Sequence, residues 1–215
     1  MPSKKNSPQP ANSRLTRDDW LDAAFKAVVD GDFGGVRVLV LAEKLGVTRG
    51  SFYWHFTDHA DLIKVLLDRW HMREIERDLN LQAQASGDPK VDLERLLEVA
   101  FASAGSDLEN TRFELALRSL GRREPAIASM LAEVDSLRMR LFEQKFLTLT
   151  QNPKVAHELA ALFYLAIVGS HQALNRPNST QQAVAFFKTI IGQYLIQQHI
   201  PISIAAKKRD AKSVI

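Results

Sequence analysis

An all-α protein of about nine helices is predicted by this sequence, with a three-helix helix-turn-helix unit at its N-terminal end and a larger helical domain after it. Three observations carry that prediction. Apolar residues recur at spacings of three and four along most of the chain, and neither strand-like alternation nor an internal repeat stands out. Clusters of Gly, Pro, Asn and Ser interrupt the pattern at helix-length intervals, at 31–35, 86–89, 105–107, 152–153 and 175–179. The 215 residues are 46% hydrophobic, enough for a sizeable core in one or two domains.

The elements follow in order. Residues 1–15 are rich in Pro, Ser, Asn and Gln with Lys4, Lys5 and Arg14, and read as a disordered arm. Thr16 with Asp19 three positions on is a capping-box start for a first helix reaching about residue 30, with Leu21, Ala24, Phe25 and Val28 as its apolar stripe. A second helix is expected over 38–45, where Leu41, Ala42 and Leu45 share one face. Gly46 follows at the position where a left-handed residue ends a helix at least cost. Thr48 then reads as the N-cap of a third helix over 49–56, its hydroxyl accepting from a backbone N–H one turn on. Phe52 and Phe56, four apart, turn inward together and leave Arg49, Tyr53 and His55 outside. Two short helices joined by a Gly-bearing turn are the layout whose second helix enters the DNA major groove. The outward residue types suit that task. Arg49 can bond two acceptors on a guanine edge, Gly50 lets the backbone approach closely, and Tyr53 and His55 can donate to phosphate.

The segment 41–56, with Asp58 and Leu62 after it, closely resembles the DNA-binding signature of the TetR/AcrR family of transcriptional regulators. Those proteins carry an LA-x-x-LGV-[ST]-x-G-x-x-Y-x-HF pattern. Leu41, Ala42, Leu45, Gly46, Val47, Thr48, Gly50, Tyr53, His55 and Phe56 meet every fixed position of it. The resemblance extends in length and helix order over the whole chain. It implies an N-terminal domain over 16–58 that binds a double-stranded DNA operator, and a domain over 59–202 for ligand binding and dimerisation. Thr48, Arg49, Gly50, Ser51, Tyr53, Trp54 and His55 would face DNA. Many members have a Lys at the start of the next helix and a Thr at the start of the second, each touching phosphate. This chain has His59 and Val38 there, so the contact at His59 would be weaker or pH-dependent.

Beyond the motif, Asp58 can cap a long fourth helix over 59–83, with Leu62, Leu66, Trp70 and Leu79 marking its buried side. A fifth helix over 90–104 turns Leu93, Leu96, Leu97 and Phe101 inward, and a sixth covers 108–120. Pro125 suits the first turn of a seventh over 124–149. Its apolar positions Ile127, Leu131, Val134, Leu137, Leu141 and Phe142 leave Arg138, Arg140, Glu143 and Lys145 as a solvated face. An eighth helix over 153–174 is apolar around most of its circumference, and a ninth over 180–199 nearly so. Residues 203–215 form a polar tail. Helices eight and nine need more cover than one small domain supplies, so a homodimer is expected through them as a four-helix bundle, with Leu159, Leu162, Phe187 and Ile191 as interface candidates. By the resemblance, a small-molecule effector enters between helices four to eight and tilts the fourth. Trp70, Phe101, Phe113, Leu117 and Phe163 are candidate lining residues, and Arg118 and His171 candidate polar contacts.

Composition sets further bounds. Cys is absent, which excludes disulfides, thiol catalysis and Cys-based zinc sites. The first ten residues have no apolar core of a secretory signal, and the longest apolar run, 159–169, is far short of the ~18–20 residues of a membrane span, so the cytoplasm is the expected location. Net charge is +3, and residues 1–60 hold eight Lys/Arg against seven Asp/Glu; placement, not bulk charge, points to nucleic acid. His55, Asp58 and His59 straddle a helix break with no third strong ligand nearby, so no metal is expected, and no cofactor. The alternative class is a small helical enzyme using His157 with Glu158, or His71 with Glu74, as acid and base. Neither a nucleophile motif nor a Gly-rich phosphate loop accompanies those pairs, and the expected protein is not an enzyme.

Overall fold

The computed structural model describes residues 15–84, 86–106, 108–172, 182 and 185–190, apart from the side chains of 89 and 101–106. Eight α-helices and one 3-10 turn make up the described fold, without a strand: α1 (Arg17–Gly31), the 3-10 turn (Phe33–Gly35), α2 (Val38–Lys44), α3 (Arg49–Phe52), α4 (His59–Ala83), α5 (Pro89–Ser106), α6 (Leu108–Gly121), α7 (Pro125–Thr150) and α8 (Pro153–Gln172). Residues 182 and 185–190 are helical too, within the span expected for a ninth helix. The rest of that span, the arm 1–14 and the tail 203–215 lie outside the described residues.

Local chemistry sets the ends of the first helices. The Thr16 hydroxyl accepts from the Asp19 N–H, and the Asp19 carboxylate accepts in turn from the Thr16 N–H at 2.6 Å, completing the capping box of α1. Those bonds hold the Asp19 carboxyl below its ordinary range. Asp58 caps α4 by accepting from the Asp61 N–H at 2.8 Å. Gly46 sits at φ 68°, and the Val47 N–H returns to the Ala42 carbonyl across the turn. The third helix departs from expectation. It is four residues long, not eight, and Thr48 occupies its N-cap without a side-chain hydrogen bond. Tyr53, Trp54 and His55 continue as turns, and the Phe56 N–H bonds to the Phe52 carbonyl at 3.1 Å. The apolar spacing of 52 and 56 survives this shortening because that bond keeps the two residues one helical turn apart.

Two apolar clusters fill the interior. The first joins α1, α2, Phe52 and Phe56 to the first half of α4, to Phe113, Ala116 and Leu117 of α6, and to Leu131 and Val134 of α7. Its centre is Trp20, edge-on to Phe52 at 5.3 Å, while Phe25 stacks on Phe113 at 4.7 Å. Packing therefore runs without a gap from the N-terminal helices into α6 and α7. The second cluster joins Leu93, Leu96 and Leu97 of α5 to Phe142 and Phe146 of α7 and to the inner face of α8 around Phe163.

Between them lies a layer that sequence reading placed on the surface. Arg138 and Lys145, expected on the wet side of α7, are both mostly covered. Arg138 meets carboxylates of α4 and α6, and Lys145 Nζ sits 3.0 Å from Asp92 Oδ2 of α5. Ser86 and then Lys145 draw the Asp92 carboxyl down to about 2. The reason is spacing: Leu131, Val134, Arg138, Leu141 and Lys145 step by three and four along one stripe. Along α4 the row Leu62, Leu66, Trp70, Glu74, Asp78 is buried at steps of four, and Leu79, off that row, is exposed, contrary to expectation. On α8, Leu162 and Leu165 are 50% and 68% exposed, so that helix is not covered all round.

Phe52 is the one large apolar side chain that the short third helix sends fully inside. Phe52→Ala is expected to lower stability by about 3–5 kcal/mol, the range for emptying an aromatic core position. Thermal unfolding followed by circular dichroism measures this, and a loss under about 1 kcal/mol would mean that the α3 turn is not anchored through this ring.

Candidate nucleic-acid interface and interhelical cavity

The turn from Thr48 to His55 shows two opposite faces. Phe52 stacks on Phe56 at 5.4 Å and is edge-on to Trp20, which fixes the inner face against α1. On the outer face Thr48, Arg49, Gly50, Tyr53 and Trp54 are exposed, Trp54 by 81%, while Ser51 and His55 are half-buried. Arg49 Nη2 donates to the Tyr53 hydroxyl at 3.1 Å, and the guanidinium carbon lies 6.0 Å from that ring's centroid. A guanidinium, a phenol, an indole, two small hydroxyls and bare Gly50 backbone thus share one surface, the donor-rich and sterically open mixture suited to bases and phosphates. His59 stands apart from this set. Its Nε2 is 2.7 Å from the Val36 carbonyl, tying the start of α4 to the segment before α2, and only its other ring nitrogen remains for an outside partner.

Further along α4 a cavity of about 80 Å³ opens between α4, α5, α6, α7 and α8. Its polar edge belongs to one continuous chain of contacts. Trp70 Nε1 donates to Asn110 Oδ1 at 3.0 Å, and Asn110 Nδ2 donates to Glu74 Oε1 at 2.8 Å. Arg138 Nη2 donates to Glu74 Oε2 at 2.5 Å, and its Nη1 to both Glu114 oxygens at 3.1 Å. Arg118 reaches Glu114 at 2.7 Å from one side and Asp135 at 2.7 Å from the other, where Tyr164 also donates to Asp135. Burial pushes Glu114 up, but Arg138 and Arg118 outweigh it and hold its carboxyl below the ordinary range. Burial, with Asp135 next to it, pushes the Tyr164 phenol up. Asp78 behaves in the opposite way from Glu114. Burial dominates, Arg138 opposes it, Glu74 adds to it, and the Asp78 carboxyl is pushed up to about 6.

Among the described side chains of the expected lining residues, only His171 borders this cavity. Trp70, Phe113 and Leu117 belong to the closed first cluster, and Phe163 is closed within the second. Arg118 lies in the ion network behind Glu114, and the Phe101 side chain lies outside the described residues. Sequence reading missed Glu74 as a lining residue, along with Asp78, Glu114, Arg138 and Tyr164. The signal was there in the steps of four on α4 and in Arg138's place on the apolar stripe of α7. The pairs weighed for acid–base work are dispersed: His71 Nε2 is 3.2 Å from Glu133, His157 Nδ1 is 3.5 Å from Glu143, and Glu74 is held by Arg138. Among the interface candidates, Leu159 is buried in the chain's own core and Phe187 is half-buried against Phe163 at 4.3 Å. Leu162 is exposed, and Ile191 lies outside the described residues.

Comparison with known proteins follows the same division. Residues 21–66 match the family model described as bacterial regulatory proteins, tetR family. The HTH-type transcriptional regulator AcrR of Shigella flexneri is 34% identical over 85 residues, which are 38% of this chain and 38% of that relative's own length. The fold matches over far more. A putative transcriptional regulator from Pseudomonas aeruginosa PAO1 has a TM-score of 0.66 at 16% identity, covering 89% of this chain and 98% of its own. Another, from Saccharomonospora viridis in complex with choline, has a TM-score of 0.66 at 17% identity, covering 82% and 95%.

Asp78 gives a pH-dependent prediction. Its folded value of about 6 lies above the ordinary 3.8, so the folded chain binds the proton more tightly than the unfolded one. Stability from this group is present below about pH 4 and is lost as the pH rises through about 6. Arg77, Arg138, Glu74, Glu114 and His171 face the same cavity. Asp78→Asn removes the buried charge and is expected to stabilise the chain by about 1–3 kcal/mol at pH 8. Calorimetric melting at pH 8 and pH 4 checks this: the gain should be absent at pH 4, and no gain at pH 8 contradicts the burial account.

Proposed function

We propose that this chain, whose residues 21–66 match the tetR family model, is a homodimeric, sequence-specific DNA-binding transcriptional regulator in the cytoplasm, a repressor released from a pseudo-palindromic operator by a small molecule. The observation that carries this reading is the outer face of the α3 turn. Thr48, Arg49, Gly50, Tyr53 and Trp54 stand exposed on a segment whose inner face is locked by Phe52 and Phe56. Arg49 would read a base edge in the major groove, and Thr48, Ser51, Tyr53, His55 and His59 would set register on phosphates. Gly50 lets the backbone come close. Trp54 would lie against the sugar-phosphate wall.

One such segment offers too few base contacts for a specific site, since each good pair is worth about 1–3 kcal/mol. A two-fold dimer doubles the set and places the two segments roughly 34 Å apart in successive major grooves. The exposed leucines of α8 support that pairing. Leu162 and Leu165 lie at i and i+3, and Gly169 one turn on has open space over its backbone, so a second copy can approach closely. Leu159 drops out of the interface because it fills the chain's own core, and Phe187 and Ile191 would join from the following helix.

Release would act through α4. The cavity borders α4 at Glu74, Arg77, Asp78 and Leu81, and α4 begins at the DNA-facing turn. A ligand shifts the balance only if it binds one setting of α4 better than the other, and a bias of about 2–3 kcal/mol changes operator affinity some tens-fold. The S. viridis neighbour of the same fold, solved with choline, supports a small-molecule role for this kind of helical body.

Selection of bound duplexes from a random DNA pool tests the reading. The wild-type chain is expected to enrich a two-fold site with half-sites about 10 base pairs apart, and Arg49→Ala to relax one symmetric pair of positions in it. No enrichment, or a site without symmetry, refutes the dimeric reader. An unchanged consensus with Arg49→Ala removes that side chain's base-reading role.

A further inference from the structure

Three carboxylates line the cavity, and two of them are fully engaged. Glu74 accepts from Arg138 and Asn110, and Glu114 from Arg138 and Arg118. Asp78 is different. It is 7% exposed, and its Oδ2 is buried without a hydrogen-bond donor. Arg138 Nε stands 3.7 Å from that oxygen, beyond hydrogen-bond reach, and the same guanidinium's other two nitrogens are already bonded to Glu74 and Glu114. A buried carboxylate oxygen that meets no donor is expensive and calls for a partner from outside the fold. Most of the remaining wall is hydrocarbon: Leu81, Leu96, Val99, Leu141, Ile167 and Val168.

We propose that the cavity receives a small protonated amine with an apolar body, whose ammonium N–H donates to Asp78 Oδ2 while the body lies among these aliphatic side chains. The assignment rests on the effector reading above and names the chemistry of the effector. An ammonium supplies what Asp78 Oδ2 lacks, a hydrogen-bond donor, and adds a positive charge to the one that Arg138 shares among three carboxylates, in a charge-assisted hydrogen bond inside a partly closed site. An anionic ligand would meet three carboxylates against two cations, Arg138, bonded to Glu74 and Glu114, and Arg77, paired with Glu74. A neutral ligand of the same shape would gain apolar burial without adding a countercharge beside Asp78.

Isothermal titration of the full-length chain with benzylammonium tests this, with benzyl alcohol and phenylacetate as the neutral and anionic counterparts. Benzylammonium is expected to bind about tenfold more tightly than either, or better, and Asp78→Asn to erase that preference while retaining the helical far-UV spectrum. Equal binding of phenylacetate or benzyl alcohol, no binding of any of the three, or a preference that survives Asp78→Asn overturns the assignment. If the variant does not fold, the charge series on the wild-type chain decides alone. The titrations contain no DNA and the operator selection contains no amine. A chain that selects a two-fold site but ignores benzylammonium refutes the ligand class only, and a chain that selects no site refutes the regulator reading.

Discussion

Arg138 is the side chain on which the arrangement of the helices most depends. From α7 it bridges Glu74 of α4 and Glu114 of α6 in one buried fork, with Asp78 just out of reach. Its planar guanidinium suits that task, because Nη1 meets both Glu114 oxygens while Nη2 meets Glu74. Such a cluster is weak as net stabilisation, since desolvating the charges offsets much of their attraction. Its effect is positional. Removing the cation would leave two buried carboxylates facing each other, so α4 is held at one depth and one rotation against α6 and α7. Trp70 and Asn110 extend the same constraint toward the first apolar cluster, and Arg118, Asp135 and Tyr164 extend it to α8.

That constraint matters because α4 spans the distance between the two candidate sites. From His59, bonded to the Val36 carbonyl, to Asp78 in the cavity wall is 19 residues, about 28 Å of helix at 1.5 Å per residue. The N-terminal helices do not hang from α4 alone. Phe25 stacks on Phe113 and the first apolar cluster is continuous into α6 and α7, so the α3 turn is packed as one unit with this part of the body. Under the proposed release, a change in the charged layer would reach the turn through packed side chains as well as through the helix itself. In the proposed function, ligand chemistry and reading geometry would meet at Glu74 and Asp78.

The N-terminal part of this design was legible in the sequence because local rules decide it. Thr16 with Asp19, Asp58 with Asp61, Gly46 in the turn, and the pair Phe52 and Phe56 each act within a few residues, and each took the place that its spacing implies. The length of α3 was not legible: eight helical residues and three turns after four put the same two rings inside. The charged layer was misread for another reason. Charge points to exposure on α7, yet Arg138 and Lys145 share the register of Leu131, Val134 and Leu141. A buried charge is tolerable only with partners, and those partners come from α4, α5 and α6, between 24 and 64 positions away in the chain. No local pattern announces pairs that distant. The aromatic candidates for the cavity failed for the converse reason. Trp70, Phe113 and Phe163 are large and apolar, and large apolar groups close cores more readily than they line openings.

The most direct test of this account is the operator affinity of Arg138→Met, measured by fluorescence anisotropy on a full two-fold duplex and on an isolated half-site, with folding checked by far-UV circular dichroism. If Arg138 sets α4 and so the spacing of the two reading segments, the folded variant should lose about tenfold or more on the full site while its half-site affinity stays within about twofold. A folded Arg138→Met chain that binds the full site as tightly as the wild type would contradict it.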